Sequence, residues 1–198
     1  MALIVLLRGI NVGGHRAFRP KLLAQTLSEF DVVNIGATGT FVVRKPASRA
    51  HLRAALRSRL PATTEFVFCE GRDLLQLATE FPFDEPSPDP GLIRFVSFLA
   101  TASRTRPSLP FMIPPGRDWF VRVTTVTDRL AVGEYRRHMK TIGYLGQLDT
   151  LFGTLVTTRS WATANVIVQT LAAAGRTNHE RRSPLAGRIA TMSKPEGR

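Results

Sequence analysis

The sequence predicts an α+β protein built from two halves that share one order of elements, strand–helix–strand–strand–helix–strand. Short runs rich in apolar and β-branched residues alternate with segments whose apolar residues recur at helical spacing. An acidic, proline-rich segment at residues 82–91 divides the 198-residue chain near its middle, and a similar succession begins after it. These two observations predict a tandem arrangement with a linker at 82–91.

The first half begins with a strand. Residues 2–8 (ALIVLLR) form a short apolar run with β-branched residues at its centre, and Gly9 ends it. A glycine-containing loop leads to a helix that starts at Pro20, which suits the first helical position because its missing N–H would have had no partner. Residues 32–35 and 40–44 then form a predicted hairpin around a turn that contains two glycines.

Three further elements complete this half. Leucines at every fourth position from Leu52 mark a second helix, which begins near Ser48. Residues 65–70 (EFVFCE) are a predicted fourth strand and residues 72–81 a third helix. We therefore expect residues 1–81 to form the first subdomain.

The second half, residues 92–174, repeats this order except for its first helix. Residues 92–100 are a predicted strand, and a hairpin is expected from residues 119–126 and 130–135. Between them, the stretch 103–117 contains four prolines, which disfavour a regular helix because each removes a backbone donor and clashes with the preceding turn.

The chain then returns to regular patterns. Residues 145–152 are a predicted helix and 155–158 a strand, and Ser160 is placed to cap a last helix. From residue 175 the periodicity stops among scattered basic residues, which predicts a flexible basic tail over 175–198. The element order of each half is that of a ferredoxin-like unit with a mostly antiparallel sheet.

Composition narrows the class of protein. Hydrophobic residues make up 43% and charged residues 21% of the chain, values typical of a folded globular protein. Cys69 is the only cysteine, so a disulfide framework within the chain is excluded, and a buried structural thiol is expected. No secretory signal pattern and no window of about 20 apolar residues is present, so we expect a cytoplasmic protein without a membrane partner.

The chain carries a formal net charge of +12, with 27 Lys and Arg against 15 Asp and Glu. Its distribution is uneven: residues 1–60 carry +8, 61–90 carry −6, 91–174 carry +6 and 175–198 carry +4. This charge favours contact with anions in general. It reflects either selection for such contact or the codon bias of a genome rich in arginine codons.

The segment Arg8-Gly-Ile-Asn-Val-Gly-Gly-His15 lies between the first strand and the first helix, where exposed backbone N–H groups can meet an anion. It matches neither a Walker A loop nor the dinucleotide-binding glycine pattern. The predicted ligand contacts within it are Arg8, Gly9, Asn11, Gly13, Gly14 and His15. Weaker contacts, toward nucleic acid, are expected from Arg16, Arg19 and Lys21. The alternative is a purely structural turn with solvated arginines.

The run LLRGINVGG, residues 6–14, resembles the N-terminal signature of a bacterial family, domain of unknown function 1697. The segment TRSWAT, residues 158–163, is similar to a second motif near that family's C-terminal end. Residues 37–40 read ATGT where the family usually has Gln-Ser-Gly-Asn, so only the glycine is shared. The resemblance implies an α+β fold without an assigned reaction.

Other candidate sites have simpler structural interpretations. The four histidines show no metal-ligand spacing, no nucleophile elbow is present, and no cofactor is implied. Phe41 and Trp161 are expected in the core, although a Trp beside Arg159 can also stack on a planar ligand. The arginines at 49, 53 and 57 form one row of a helix, which a solvated flank explains.

Three functions follow from these observations. The first is a binding module whose glycine-rich loop contacts an anionic small molecule. The second is a nucleic-acid-binding protein that uses basic faces and the tail, because RNA-recognition domains share the βαββαβ topology. The third is an enzyme of an unrecognised class. Neither the ligand nor the oligomeric state follows from the sequence.

Overall fold

The computed structural model describes residues 2–10, 18–45, 47–81 and 89–182, and for 176–182 the backbone alone. The strands are β1 (Leu3–Leu7), β2 (Val32–Ile35), β3 (Thr40–Val43), β4 (Phe66–Glu70), β5 (Leu92–Leu99), β6 (Phe111–Ile113), β7 (Val121–Val126), β8 (Leu130–Arg136) and β9 (Val156–Ser160). The α-helices are α1 (Pro20–Thr26), α2 (Arg49–Arg57), α3 (Gly71–Glu80), α4 (Thr141–Gly146), α5 (Leu148–Phe152) and α6 (Trp161–Arg182). A 3₁₀ turn at Ser28–Phe30 follows α1.

The first four strands form an antiparallel sheet in the order β2-β3-β1-β4. All five side chains of β1 are buried, because both faces of the sheet are covered. Leu3, Val5 and Leu7 pack on one side with residues of α1 and α2, and Ile4 and Leu6 pack on the other. This explains why the β1 sequence is uniformly apolar rather than alternating.

The predicted helix starts of the first half are confirmed. Pro20 occupies the first turn of α1, where no backbone donor is required. At α2, the Ser48 hydroxyl accepts a hydrogen bond from the His51 backbone N–H over 3.1 Å, which satisfies one of the free donors of the first turn.

The remaining strands form a second antiparallel sheet in the order β6-β7-β8-β5-β9. Strand β6 lies inside the proline-rich stretch 103–117, for which the sequence predicts only that a regular helix is disfavoured. It has only three residues, at the sheet edge between Pro110 and Pro114. Proline is tolerated there because its lack of a donor does not interrupt a ladder.

The helix predicted over 145–152 is instead two short helices, α4 and α5, with Gln147 between them. The first begins earlier than predicted, at Thr141, and ends at Gly146. Gly143 and Gly146 both lower the helix propensity of this segment. The second helix places Leu148 and Phe152 in the core.

The last helix begins where the sequence predicts. The Ser160 hydroxyl accepts a hydrogen bond from the Thr163 backbone N–H over 3.3 Å. Helix α6 extends to Arg182, so it passes Gly175, where the apolar periodicity ends. The rest of the predicted tail, residues 183–198, lies outside the described residues, as does most of the predicted linker, residues 82–88.

Three clusters of buried side chains make up the core. One lies between the first sheet and helices α1 and α2, and another between the second sheet and helices α4 and α5. The third joins the two halves: it combines Ile4, Leu6 and Val67 of the first sheet and Leu74 of α3 with buried residues of the second half. Those residues are Val96, Phe98, Leu130, Val132, Trp161, Ala164, Ile167 and Leu171. The two sheets therefore share one interior.

Among the described residues, no helix combines the length and the apolar composition that crossing a lipid bilayer requires.

Candidate functional site

The end of β1 is held by both neighbouring strands. The Leu7 N–H donates to the Gly39 carbonyl over 2.7 Å, and the Arg8 N–H donates to the Glu65 carbonyl over 2.9 Å. Gly9 follows with a φ of +66°, a left-handed conformation that glycine adopts without strain. The predicted anion-contacting loop therefore leaves the sheet at a fixed point, between the β2–β3 turn and the start of β4.

Arg8 does not present a free charge at this point. Its guanidinium contacts Asp149 Oδ2 at 2.5 Å and Glu65 Oε2 at 3.4 Å. Asp149 is itself fixed, because its Oδ1 accepts the Val156 backbone N–H over 2.9 Å. The positive charge of Arg8, which is expected to attract a ligand, is therefore already balanced by two carboxylates.

A second arginine reaches the same point from the other half. Arg159 lies on β9, is 9% exposed, and points its guanidinium toward the end of β1 and the β2–β3 turn. The Nη2 group donates to the Leu7 carbonyl over 2.7 Å and to the Thr38 carbonyl over 3.0 Å. The Nε–H group donates to the Thr40 hydroxyl over 2.7 Å.

The remaining donors of Arg159 are satisfied within its own strand. Its Nη1 group donates to the Thr157 hydroxyl over 2.9 Å and to the Thr158 carbonyl over 2.8 Å. All five N–H groups thus have partners, and every partner is a neutral oxygen. Among the described residues, no carboxylate lies within 4 Å of this guanidinium.

Burial lowers the pKa of Arg159 to about 10, because the interior solvates a charged guanidinium less well than water does. At neutral pH the group is still protonated. Among the described residues, Arg159 therefore carries a buried, hydrogen-bonded positive charge with no carboxylate within 4 Å, and this charge lies directly behind the first residue of the predicted loop. Sequence reasoning missed this role: it treated Arg159 only as a neighbour of Trp161 and as part of the TRSWAT motif.

The other predicted ligand contacts divide into two groups. Arg19 and Lys21 are exposed at the start of α1. Five predicted residues lie outside the described part of the chain: Asn11, Gly13, Gly14, His15 and Arg16. Whether the loop contacts an anion stays a prediction.

The aromatic side chains singled out in the sequence are structural. Phe41 is 1% exposed and packs in the first core cluster, as predicted. Trp161 is also in the core, and its ring is covered by the Arg94 guanidinium, whose central carbon lies 4.0 Å from the ring centroid. The Arg94 guanidinium therefore occupies a stacking position on the Trp161 ring, where the sequence allows a planar ligand beside Arg159.

The arginine row of α2 is exposed, as a solvated flank predicts, but its members also have partners. Arg49 pairs with Glu70 at 2.6 Å. Arg53 lies over the rings of Phe66 and Phe68, and Arg57 lies 4.6 Å from the centroid of Phe66. These guanidinium groups cover the aromatic side chains of β4, so their charges already take part in cation–π contacts.

Cys69 is the buried thiol that the sequence predicts. It is 2% exposed, and burial raises its pKa to about 12, with a further contribution from the negative charge of Asp73. A thiol with this pKa carries almost no thiolate at neutral pH, so it is a poor nucleophile. In the described part of the chain, no group of three or more His, Cys, Asp and Glu side chains is arranged to hold a metal ion.

Comparisons with known proteins place the chain in a family but do not assign a reaction. No curated protein and no solved structure matches it. The model of the family described as "Protein of unknown function (DUF1697)" matches residues 1–108, more than half of the sequence, including the loop that begins at Arg8. The chain therefore belongs to the DUF1697 family.

Proposed function

We propose that this protein binds a small molecule through an anionic group, phosphate or carboxylate, at the point where the chain leaves β1. The observation that carries the proposal is the buried charge of Arg159, which no carboxylate of the described residues balances within 4 Å. An uncompensated charge in a poorly solvating interior attracts an anion more strongly than the same charge in water.

The predicted loop supplies the remaining contacts of this proposal. Gly9, Gly13 and Gly14 let the backbone approach a ligand closely, and Asn11 and His15 offer polar side chains. Arg8 takes part by exchanging one of its carboxylate contacts for the ligand. Its contact with Glu65 is the longer of the two, at 3.4 Å, and Glu65 is half-exposed, so this contact is the cheaper one to replace.

The test is a thermal-shift screen of the full chain with inorganic phosphate, sugar phosphates and nucleotides, because a ligand that binds only the folded state raises its melting temperature. The double variant Arg8→Gln with Gly13→Ala is expected to lose most of the shift and to remain folded. The control is Arg44→Gln, which removes another surface ion pair, with Asp31, far from the loop. An unchanged shift in the double variant would falsify the assignment.

The screen also separates this proposal from the nucleic-acid alternative. A polyanion held by basic faces alone loses affinity steeply as salt rises, since binding depends on counterion release. A small anion bound at the loop and attracted by the buried charge of Arg159 is less dependent on salt, because buried charges are screened less than exposed ones. Oligonucleotides that bind only at low salt, with no effect of the double variant, would favour the alternative.

We further infer that the chain consists of two ferredoxin-like halves. The first sheet has the order β2-β3-β1-β4, and in the second sheet β7-β8-β5-β9 follows the same order once β6 is set apart as an added edge strand. In this interpretation residues 1–81 and 92–174 are the halves, 82–91 is the linker and 175–198 is a basic tail, into which α6 extends as far as Arg182. An experimental structure with a different strand order in either sheet would overturn it.

A further inference from the structure

We propose that a basic and apolar surface around the start of α4 docks an acidic, amphipathic segment of a protein partner. We call this surface the α4 patch. It consists of Arg117, Arg136, Arg137, Met139, Lys140 and Ile142. None of these residues belongs to the anion site at the end of β1, so the two proposals stand or fall separately.

Two aliphatic side chains of the α4 patch are open to solvent. Met139 is 92% exposed and Ile142 is 62% exposed, the two largest values among the exposed large hydrophobic residues of the described chain. They are three positions apart at the beginning of α4, and neither packs in a core cluster. These two side chains therefore offer apolar surface that a partner can cover.

The charges of the α4 patch are not balanced within the described residues. Arg117, Arg137 and Lys140 are exposed, and no carboxylate of the described chain lies within 4 Å of them. The nearby carboxylate of Glu134 is already bound by Arg122. A partner with carboxylates therefore gains attraction here without displacing an existing ion pair.

Aromatic rings beneath the α4 patch hold its side chains in place. Two guanidinium groups lie over the Trp119 ring, with the central carbon of Arg136 at 4.6 Å and that of Arg122 at 4.8 Å from its centroid. Arg136 also donates to the Arg117 carbonyl over 3.4 Å. A side chain that is already ordered loses less conformational entropy when a partner binds.

A second ring stack supports the segment that carries Met139. The Phe120 ring contacts Tyr144, whose ring is nearly parallel at a centroid distance of 5.1 Å, and His138, whose ring centroid lies 5.0 Å away. The Lys140 backbone N–H donates to His138 Nδ1 over 3.1 Å. These contacts fix the turn that precedes α4, so Met139 and Ile142 project from a defined backbone.

The combination of cations and aliphatic side chains favours a protein over a nucleic acid. A phosphodiester backbone would neutralise Arg137 and Lys140 but leave Met139 and Ile142 in water. An amphipathic peptide with acidic and aliphatic residues satisfies both. Methionine and arginine are also enriched at protein interfaces, where the flexible thioether adapts to its partner.

The test measures binding of a fluorescent helical peptide, built from Glu and Leu with the leucines on one face, to the full chain by anisotropy. Its comparison ligands are a scrambled peptide of the same composition, a single-stranded oligonucleotide and vesicles that contain anionic lipid. The patch variants are M139S/I142S and R137E/K140E. The controls are L22S, which changes an exposed aliphatic residue on α1, and R72E, which changes an exposed arginine on α3.

We expect each patch variant to weaken peptide binding by about tenfold or more, and the controls to stay within about twofold of the parent. The scrambled peptide should bind more weakly than the amphipathic one. The proposal is overturned if the amphipathic peptide does not bind, if M139S/I142S binds it as the parent does, or if the oligonucleotide or the vesicles bind more tightly and depend on the same residues.

Discussion

At the scale of single residues, Arg159 shows how an arginine can be buried without an ion pair. Five neutral oxygens from β9, the β2–β3 turn and the end of β1 take its five N–H groups. The sequence predicts a strand that ends at residue 158, whereas in the structure Arg159 belongs to β9 and is buried. Its burial depends on a hydrogen bond to Thr40, which lies 119 positions away in the sequence, and no local sequence pattern predicts such a contact.

The buried thiol of Cys69 predicts that the stability of the protein depends on pH. The pKa of its thiol is raised from 9.0 to about 12 in the folded state, so between these values the unfolded thiol releases its proton first. The free energy of unfolding then falls as pH rises, by about 1 kcal/mol between pH 9 and pH 10. Urea unfolding of the parent and of Cys69→Ala at both pH values measures this difference.

The alanine variant is expected to be less stable at pH 8, because it leaves a small cavity, and to lack the decrease that Cys69 causes. Arg159 is present in both proteins, so it does not alter this comparison. Its pKa is lowered to about 10, so its ionisation affects stability mainly above pH 10, where it raises the free energy of unfolding. Equal pH dependence in both proteins would show that the thiol is not protected from ionisation.

At the scale of elements, the sequence predicts best where local chemistry decides. The apolar run of β1, the Ser48 cap of α2 and the Ser160 cap of α6 all lie where their residue patterns place them. Strand β6 could not be predicted, because three residues between prolines carry no period and become a strand only by pairing with β7. The spacing of apolar residues also does not show where α4 ends and α5 begins.

The β2–β3 turn provides a matched pair of glycines. Both Gly36 and Gly39 have a positive φ, +65° and +69°, but only at Gly39 would a Cβ meet another atom, the Leu7 Cβ at 2.8 Å. Gly36→Ala is expected to cost about 1 kcal/mol for the left-handed backbone alone. Gly39→Ala should cost about 3 kcal/mol, because the Leu7 Cβ is fixed to β1 and cannot turn away.

Chemical unfolding of both variants under the same conditions checks the difference between the two glycines. The Gly36 variant serves as the control for backbone strain, since it lies in the same turn and its added Cβ would have open space. Similar losses of stability in the two variants would mean that β1 and the turn do not pack as closely as the structure shows.

At the scale of the whole molecule, the two sheets are joined by more than the chain that runs from one to the other. Arg129, next to the β7–β8 turn, donates to the Phe68 carbonyl of the first half over 2.9 Å and to the Ala100 carbonyl of the second over 2.8 Å. Arg8 and Asp149 form an ion pair across the same boundary. The order of most strands and helices can be predicted from the sequence, but the shared core cannot, because each apolar face is equally consistent with burial between its own sheet and helices.

The shared core predicts how the protein responds to a cut between its halves. If residues 84–87 are replaced by the recognition sequence of a specific protease, cleavage should yield two fragments that elute together in gel filtration. Buried side chains of both halves and the contacts of Arg159 hold the fragments together after the cut.

This experiment has two controls: an uncut sample, and a sample that is cut and then unfolded in urea. Fragments that separate without denaturant would show that the halves are independent domains. Their separation would also remove the basis for treating Arg159 as part of a site at the end of β1.

The reach of Arg159 has a consequence for synthesis on the ribosome. Its bond to the Leu7 carbonyl joins positions 152 residues apart, and β1 is translated long before β9. Until β9 emerges, the Leu7 and Thr38 carbonyls lack this partner, and the shared interior lacks the side chains of α6, which follows β9. A nascent chain that stalls before β9 therefore exposes part of the shared interior and leaves these two carbonyls without their partner. Translation of β9 supplies the missing hydrogen bonds to β1 and the β2–β3 turn, which were made first.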